Sequence, residues 1–118
     1  MQFRRHLAVL SAALATGAFA AGAAPPARAE ELPTFVVAAR DGRFLPSRIE
    51  VPAGTRVKLV LRNEGPGPLE FENDDLRIEK VLAAGATSFV VLPRLKPGEY
   101  GFIDEFNPIT GELTVVAR

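Results

Sequence analysis

The sequence predicts an all-β domain, an antiparallel sandwich or barrel. Brief runs rich in Val, Ile, Leu and Phe recur at short intervals, Gly and Pro punctuate them, and no helical apolar period extends over a useful length. The candidate strands are Thr34–Ala39, Arg48–Val51, Arg56–Arg62, Leu69–Glu72, Glu79–Leu82, Thr87–Leu92, Glu99–Asp104 and Glu112–Val116.

Each boundary has its own turn chemistry. Asp41-Gly42 closes the first strand, and Pro52-Ala53-Gly54 separates the second from the third. Gly65-Pro66-Gly67-Pro68 precedes the fourth, Ala84-Gly85 the sixth and Lys96-Pro97-Gly98 the seventh. Gly tolerates positive φ and Pro presets the turn entry, so these dipeptides end strands for a mechanical reason. Residues 73–76 read as a short helical turn capped by Asn73-Asp74-Asp75. Alternation places Val57, Leu59 and Leu61 in the core, with Phe89, Val91, Tyr100 and Phe102 as further core candidates.

The first 29 residues read as a secretory signal rather than as part of the domain. Arg4 and Arg5 precede an Ala-rich apolar run from Leu7 to Ala21, and Ala27-Arg28-Ala29 offers a small-x-small cleavage site. That run is broken by Gly17 and Gly22 and falls short of the roughly 20 apolar residues a spanning helix needs, so no membrane anchor is expected. Arg4-Arg5 fits a twin-arginine export signal loosely, and an ordinary secretory signal equally well. The expected organisation is a signal peptide over 1–29 and one domain over 30–118, released into the periplasm.

Composition then excludes whole classes of chemistry. The 118-residue chain carries 14 Lys+Arg and 14 Asp+Glu. Cleavage would remove Arg4, Arg5 and Arg28 and no carboxylate, leaving 11 cations against 14 anions, a net charge of −3. Nucleic acid is not the expected partner, because its phosphates require a basic face. His6 and Met1 would leave as well, and the chain has no Cys and no Trp. Disulfides, thiol chemistry, Cys/His zinc sites, Ser-His-Asp triads and haem ligation by His, Met or Cys are therefore excluded from the domain. Ser47 and Ser88 have no base to activate them, so no conventional enzyme is expected.

Several ordered segments resemble the cupredoxin superfamily: Ile49-Glu50-Val51-Pro52-Ala53-Gly54-Thr55, Asn63-Glu64-Gly65, Glu70-Phe71, Ala84-Gly85 and Leu95-Lys96-Pro97-Gly98-Glu99-Tyr100-Gly101-Phe102. The resemblance implies a Greek-key β-sandwich of about seven or eight strands. In a blue-copper member, the Tyr-x-Phe-x segment runs into the copper cysteine, with a histidine three residues later and then a methionine. An earlier histidine precedes a Glu-Phe or similar pair. Here Asp104, Asn107 and Leu69 stand at three of those positions, and the mature chain has no methionine at all. Type 1 copper needs thiolate and imidazole donors, so the resemblance does not extend to that site.

The chain is more similar still to EfeO-type cupredoxin-like domains associated with bacterial ferrous-iron uptake. The matching residues are Asp41-Gly42-Arg43-Phe44-x-Pro46, Asn63-x-Gly65-x-x-Pro68-x-Glu70-Phe71-Glu72, Leu76-x-x-Glu79-Lys80, Pro97-Gly98-x-Tyr100-x-Phe102 and Gly111-x-Leu113-x-Val115. This resemblance implies a periplasmic accessory protein that binds iron or copper, partly through acidic residues, and assists oxidation of ferrous iron or its delivery to a permease. The implied partner is an iron permease or a second periplasmic subunit.

Strand parity sorts the carboxylates. Leu69 and Phe71 share one face, Glu70 and Glu72 the other, while Tyr100, Phe102 and Asp104 oppose Ile103 and Glu105. If the two strands are sheet neighbours, Glu70, Glu72 and Glu105 gather outside with Asp104 at the adjoining pole. These four are the candidate metal ligands, and an oxygen-only set favours hard cations. Two readings stay open. Alternating Glu is also the ordinary solvated face of a half-buried strand, and the domain would then be a metal-free module docking on a membrane or periplasmic partner. Asp104, pointing inward, needs a donor or a cation, and Asn107, Arg43 or a main-chain N–H could supply it.

Overall fold

The computed structural model describes residues 31–118 and the isolated Gly17; the expected signal segment 1–29 otherwise lies outside the described residues. Nine strands form: β1 (Thr34–Arg40), β2 (Arg43–Leu45), β3 (Arg48–Val51), β4 (Val57–Asn63), β5 (Leu69–Asn73), β6 (Ile78–Leu82), β7 (Thr87–Leu92), β8 (Gly98–Asp104) and β9 (Glu112–Ala117). They build two sheets, β2-β1-β4-β7 and β3-β9-β8-β5-β6. Among the described residues there is no helix, and none long and apolar enough to cross a membrane. The all-β sandwich is therefore as expected, and each of the eight expected strands is present with ends shifted by at most one residue.

Three details differ from expectation. A ninth strand, β2, follows the Asp41-Gly42 turn; its three residues are too few to show an alternation pattern. Asp41 and Gly42 both take positive φ (52° and 69°), and Arg40 pairs directly with Arg43, which defines a two-residue hairpin loop. The sheets are also mixed rather than antiparallel. β1 runs parallel to β4 and β3 parallel to β9, because the chain leaves one sheet for the other between each of these partners. Alternation fixes which face of a strand is buried, but not the direction of its neighbour.

The third difference lies at residues 73–76, where a hairpin loop replaces the expected helical turn. The Arg77 N–H donates to the Asp74 carbonyl at 3.0 Å, and the Leu76 N–H to Asn73 Oδ1 at 2.8 Å. Arg77 has φ +53°, which turns the chain back into β6. Four residues that close two paired strands have no room to propagate a helix.

Val57, Leu59, Leu61 and Phe102 are buried as expected, and Tyr100 packs against the core with its hydroxyl donating to the Lys96 carbonyl. Phe89 and Val91 are not core residues. The β4–β7 register sets Phe89 opposite outward-facing Val60, leaving Phe89 49% exposed, while Val90 and Leu92 point inward. The run Phe89-Val90-Val91-Leu92 is apolar on both parities, so pattern alone could not choose its face.

Between the sheets, three phenylalanines from three strands meet. The Phe71 and Phe102 rings stack at 4.8 Å between centroids, and Phe44 meets Phe71 edge-on at 5.7 Å. All three are at most 2% exposed. Because Phe71 contacts both other rings, Phe71→Ala is expected to cost about 3–5 kcal/mol in chemical denaturation. A loss below about 1 kcal/mol would show that the three-ring cluster is not central to the core.

Candidate functional site

One end of the sandwich is organised by two buried polar residues. Asn63, at the end of β4, donates from Nδ2 to the carbonyls of Gly67 (2.9 Å), Ala83 (3.1 Å) and Leu82 (3.3 Å), and its Oδ1 accepts from the Gly65 N–H. One side chain thus holds the Gly/Pro-rich β4–β5 connection against the end of β6. Sequence reasoning noted Asn63 only as part of a motif; the available signal was a polar residue on the buried parity of a strand.

Asp104 is 4% exposed at the end of β8, opposite Phe71 of β5. Its Oδ1 accepts from the main-chain N–H groups of Phe106 (3.0 Å) and Glu70 (3.2 Å), and its Oδ2 accepts from Asn107 Nδ2 (2.9 Å). The backbone of Asp104 is engaged too, donating to the Gly111 carbonyl and accepting from the Asn107 N–H. The β8–β9 loop therefore winds around this residue. A Cβ at Gly111 would lie 2.7 Å from both Asp104 Cβ and the Asn107 carbonyl oxygen, so the tight winding requires glycine there. Of the donors considered for Asp104, Asn107 and main-chain N–H groups serve; Arg43 is exposed on β2.

A cleft of about 330 Å³ opens at this pole, lined by Asp41, Gly42, Asn63, Leu69, Asp104 and Asn107 among others. The three positions matched to copper ligands, Leu69, Asp104 and Asn107, thus converge on one cleft. Their chemistry does not suit copper. Leu69 offers no donor atom, the Asp104 oxygens already accept three N–H bonds, and the Asn107 amide nitrogen donates to Asp104. No thiolate or imidazole exists in the described part of the chain.

The other carboxylates lie outside the same sheet. β5 pairs with β8, Glu72 opposite Ile103, and with β6, Glu72 opposite Glu79. Carboxylate oxygens of Glu70, Glu72 and Glu79 come within 4.8 Å of one another. The Glu105 N–H donates to the Glu70 carbonyl, which holds Glu105 beside them. Of the four sequence-derived candidates, the structure gathers Glu70, Glu72 and Glu105, adds Glu79, and sets Asp104 apart on the inner face. Glu79 enters through the register of the β5–β6 hairpin, which depends on its loop being four residues long.

Crowding changes the titration of this face. The Glu72 carboxyl is pushed up to about 7, first by a hydrogen bond shared with Glu105, then by lost hydration and by the charges of Glu105, Asp74 and Glu70. Glu70 is raised as well, first by a hydrogen bond shared with Glu79, then by lost hydration and by the charges of Glu79, Glu105 and Asp104. Among the described residues no Lys or Arg forms a salt bridge with any of these four glutamates.

The chain matches the cupredoxin-like domain family over residues 9–115 and belongs to it. It is also similar to an uncharacterized protein of Rickettsia prowazekii, 32% identical over 79 residues that cover 67% of this chain and 63% of that protein. The chain thus spans less than two thirds of that relative. Among solved structures it resembles the metal-binding domain of the Streptococcus pneumoniae Cu(I)-exporting P-type ATPase CopA, with a TM-score of 0.62 at 10% identity over 72% of this chain and 84% of that one. Auracyanin B gives a TM-score of 0.62 at 19% identity, covering 76% and 93% of the two chains. These two likenesses show the fold.

Two outcomes follow from the contrast between the carboxylates. An acid whose folded-state pKa lies above its unfolded value stabilises the fold below the unfolded pKa and loses that contribution as pH rises through the folded one. For Glu72 the window runs from about 4.5 to about 7. In chelator, the thermal midpoint of Glu72→Gln should match that of wild type near the bottom of this window and exceed it increasingly toward the top; a difference independent of pH would refute the crowding. Asp104→Ala would strand three N–H donors and should cost at least about 1–3 kcal/mol in denaturant titration. A neutral result would show that the loop does not depend on the carboxylate.

Proposed function

We propose that this protein is a periplasmic accessory of ferrous-iron uptake, akin to the EfeO-type domains it resembles, and that its outer acidic face holds a hard cation as cargo. The observation that carries the reading is the crowding of Glu70, Glu72, Glu79 and Glu105, which raises the Glu70 and Glu72 carboxyls and which, among the described residues, no Lys or Arg offsets through a salt bridge. A divalent or trivalent cation would replace those protons. Oxygen donors favour hard ions, and ferric iron is harder than ferrous, so such a face would favour the oxidised product. The electron acceptor must come from elsewhere, because the crowded face supplies only carboxylate oxygens. Asp104 has no part in this set; its hydrogen bonds make it a strut of the pole.

Export through the segment 1–29 and delivery to an iron permease or a second periplasmic subunit complete the proposal. Copper relatives lend weight to metal handling in general. They do not transfer a site, since the donor set of the pole cleft is not theirs.

A second reading, a metal-free module that docks on a partner, is favoured by one observation. Ile109 is 93% exposed and Phe106 51% exposed on the loop between β8 and β9, beside the cleft.

The discriminating experiment is metal-induced stabilisation of wild type against Glu70→Gln/Glu72→Gln. A cation that binds only the folded chain adds about 2.7 kcal/mol at a hundredfold excess over its dissociation constant. Wild type should gain thermal stability with manganese, or with ferrous iron under anaerobic conditions, and the variant much less. Binding should release protons and tighten as pH rises toward about 7, where Glu72 loses its own proton. Equal shifts in both proteins would remove Glu70 and Glu72 from the site, and no shift in either would favour the metal-free module.

A further inference from the structure

Sheets expose unpaired main-chain groups at their edge strands, and proteins blunt such edges with charge, proline or brevity. The two sheets here end in β2 and β7, and in β3 and β6. Three of these edges carry such protection. β2 has only three residues, one of them Arg43; β3 has Arg48 and Glu50; β6 has Glu79 and Lys80. The fourth, β7, is Thr-Ser-Phe-Val-Val-Leu, six residues with no charge and no proline.

The main chain of β7 pairs with β4 on one side. Among the described residues no other main-chain bond involves Thr87–Leu92, so on alternate residues the N–H and C=O groups point outward without a partner. Apolar side chains flank this edge. Phe89 is 49% exposed and continues an in-register row with Val36 and Val60.

We propose that two copies of the chain associate through β7, pairing antiparallel about a two-fold axis so that their four-stranded sheets become one continuous sheet. A two-fold axis at Val90 sets Phe89 against the partner's Val91 on the outer face and Ser88 against the partner's Leu92 on the inner face. The edge suits a second copy better than a foreign peptide for two reasons. The strand is already extended and ordered, so pairing costs little conformational entropy. It is also uncharged, so a two-fold axis brings no like charges together, and such an isologous contact closes at two subunits. Lys58, whose Nζ lies 4.5 Å from the Phe89 ring centroid, sits one strand further in. The interface belongs to the sheet opposite the acidic face and does not depend on metal binding.

Sedimentation equilibrium of the protein from about 1 µM to about 1 mM tests this. The mass should rise from monomer to dimer with little dependence on salt. Phe89→Lys and Phe89→Glu alter a half-exposed position and should each raise the dissociation constant at least tenfold while the dilute protein still melts cooperatively, with a midpoint lowered only by the lost Lys58 contact. An equimolar mixture of the two variants should recover association as a mixed dimer. Hydrogen exchange of the wild type should show alternate β7 amides gaining protection as concentration increases. A protein that remains monomeric to about 1 mM, or a dimer that survives both substitutions unchanged, would overturn the proposal.

Discussion

The Asp104 carboxylate, accepting three N–H bonds in a site almost closed to water, is the interaction on which this end of the molecule depends. Through Glu70 it fixes β5 to the end of β8, and through Phe106 and Asn107 it winds the following loop. That loop in turn receives the β1–β2 hairpin, where Thr110 Oγ1 donates to the Gly42 carbonyl at 2.7 Å. A buried carboxylate is tolerable only when donors replace its lost water, and here the donors are main-chain groups fixed by the strands themselves. Directly beneath it, the stacked Phe71 and Phe102 rings fix the same two strands from the core side.

This arrangement separates two uses of acidic residues only one strand position apart. Asp104 accepts three N–H bonds and is held inside; Glu105, its neighbour, belongs to the outer face, where it raises the Glu72 carboxyl. A buried carboxylate already holding three N–H donors has about one acceptor position left, whereas crowded carboxyls with raised pKa gain from exchanging a proton for a cation. The hydrogen bonds of Asp104 make the pole a structural joint. The crowded glutamates lie instead on the outer face of the sheet, where the carboxyls of Glu70 and Glu72 are raised.

Much of this was legible in the chain. Gly/Pro punctuation located the strands, and parity placed Leu69, Phe71, Phe102 and Asp104 inside with Glu70, Glu72 and Glu105 outside. It misplaced Phe89 and Val91, because β7 is apolar on both parities and only its register with β4 decides which side meets the core. It also kept Asp104 among the metal candidates, since an inward carboxylate calls equally for a cation or for N–H donors.

By itself, then, the amino-acid sequence determined the chemistry that is excluded and the local geometry. A domain without Cys, His or Met cannot assemble type 1 copper, and alternation with turn residues suffices to define strands, because both are properties of neighbours along the chain. Only the tertiary structure decided what depends on contacts between distant segments: the parallel pairings of β1 with β4 and β3 with β9, the arrival of Glu79 beside Glu72, the Glu70 N–H that reaches Asp104, and the bare edge of β7. Strand order and register arise from how two twisted sheets bury their apolar faces together, and no run of neighbouring residues records that.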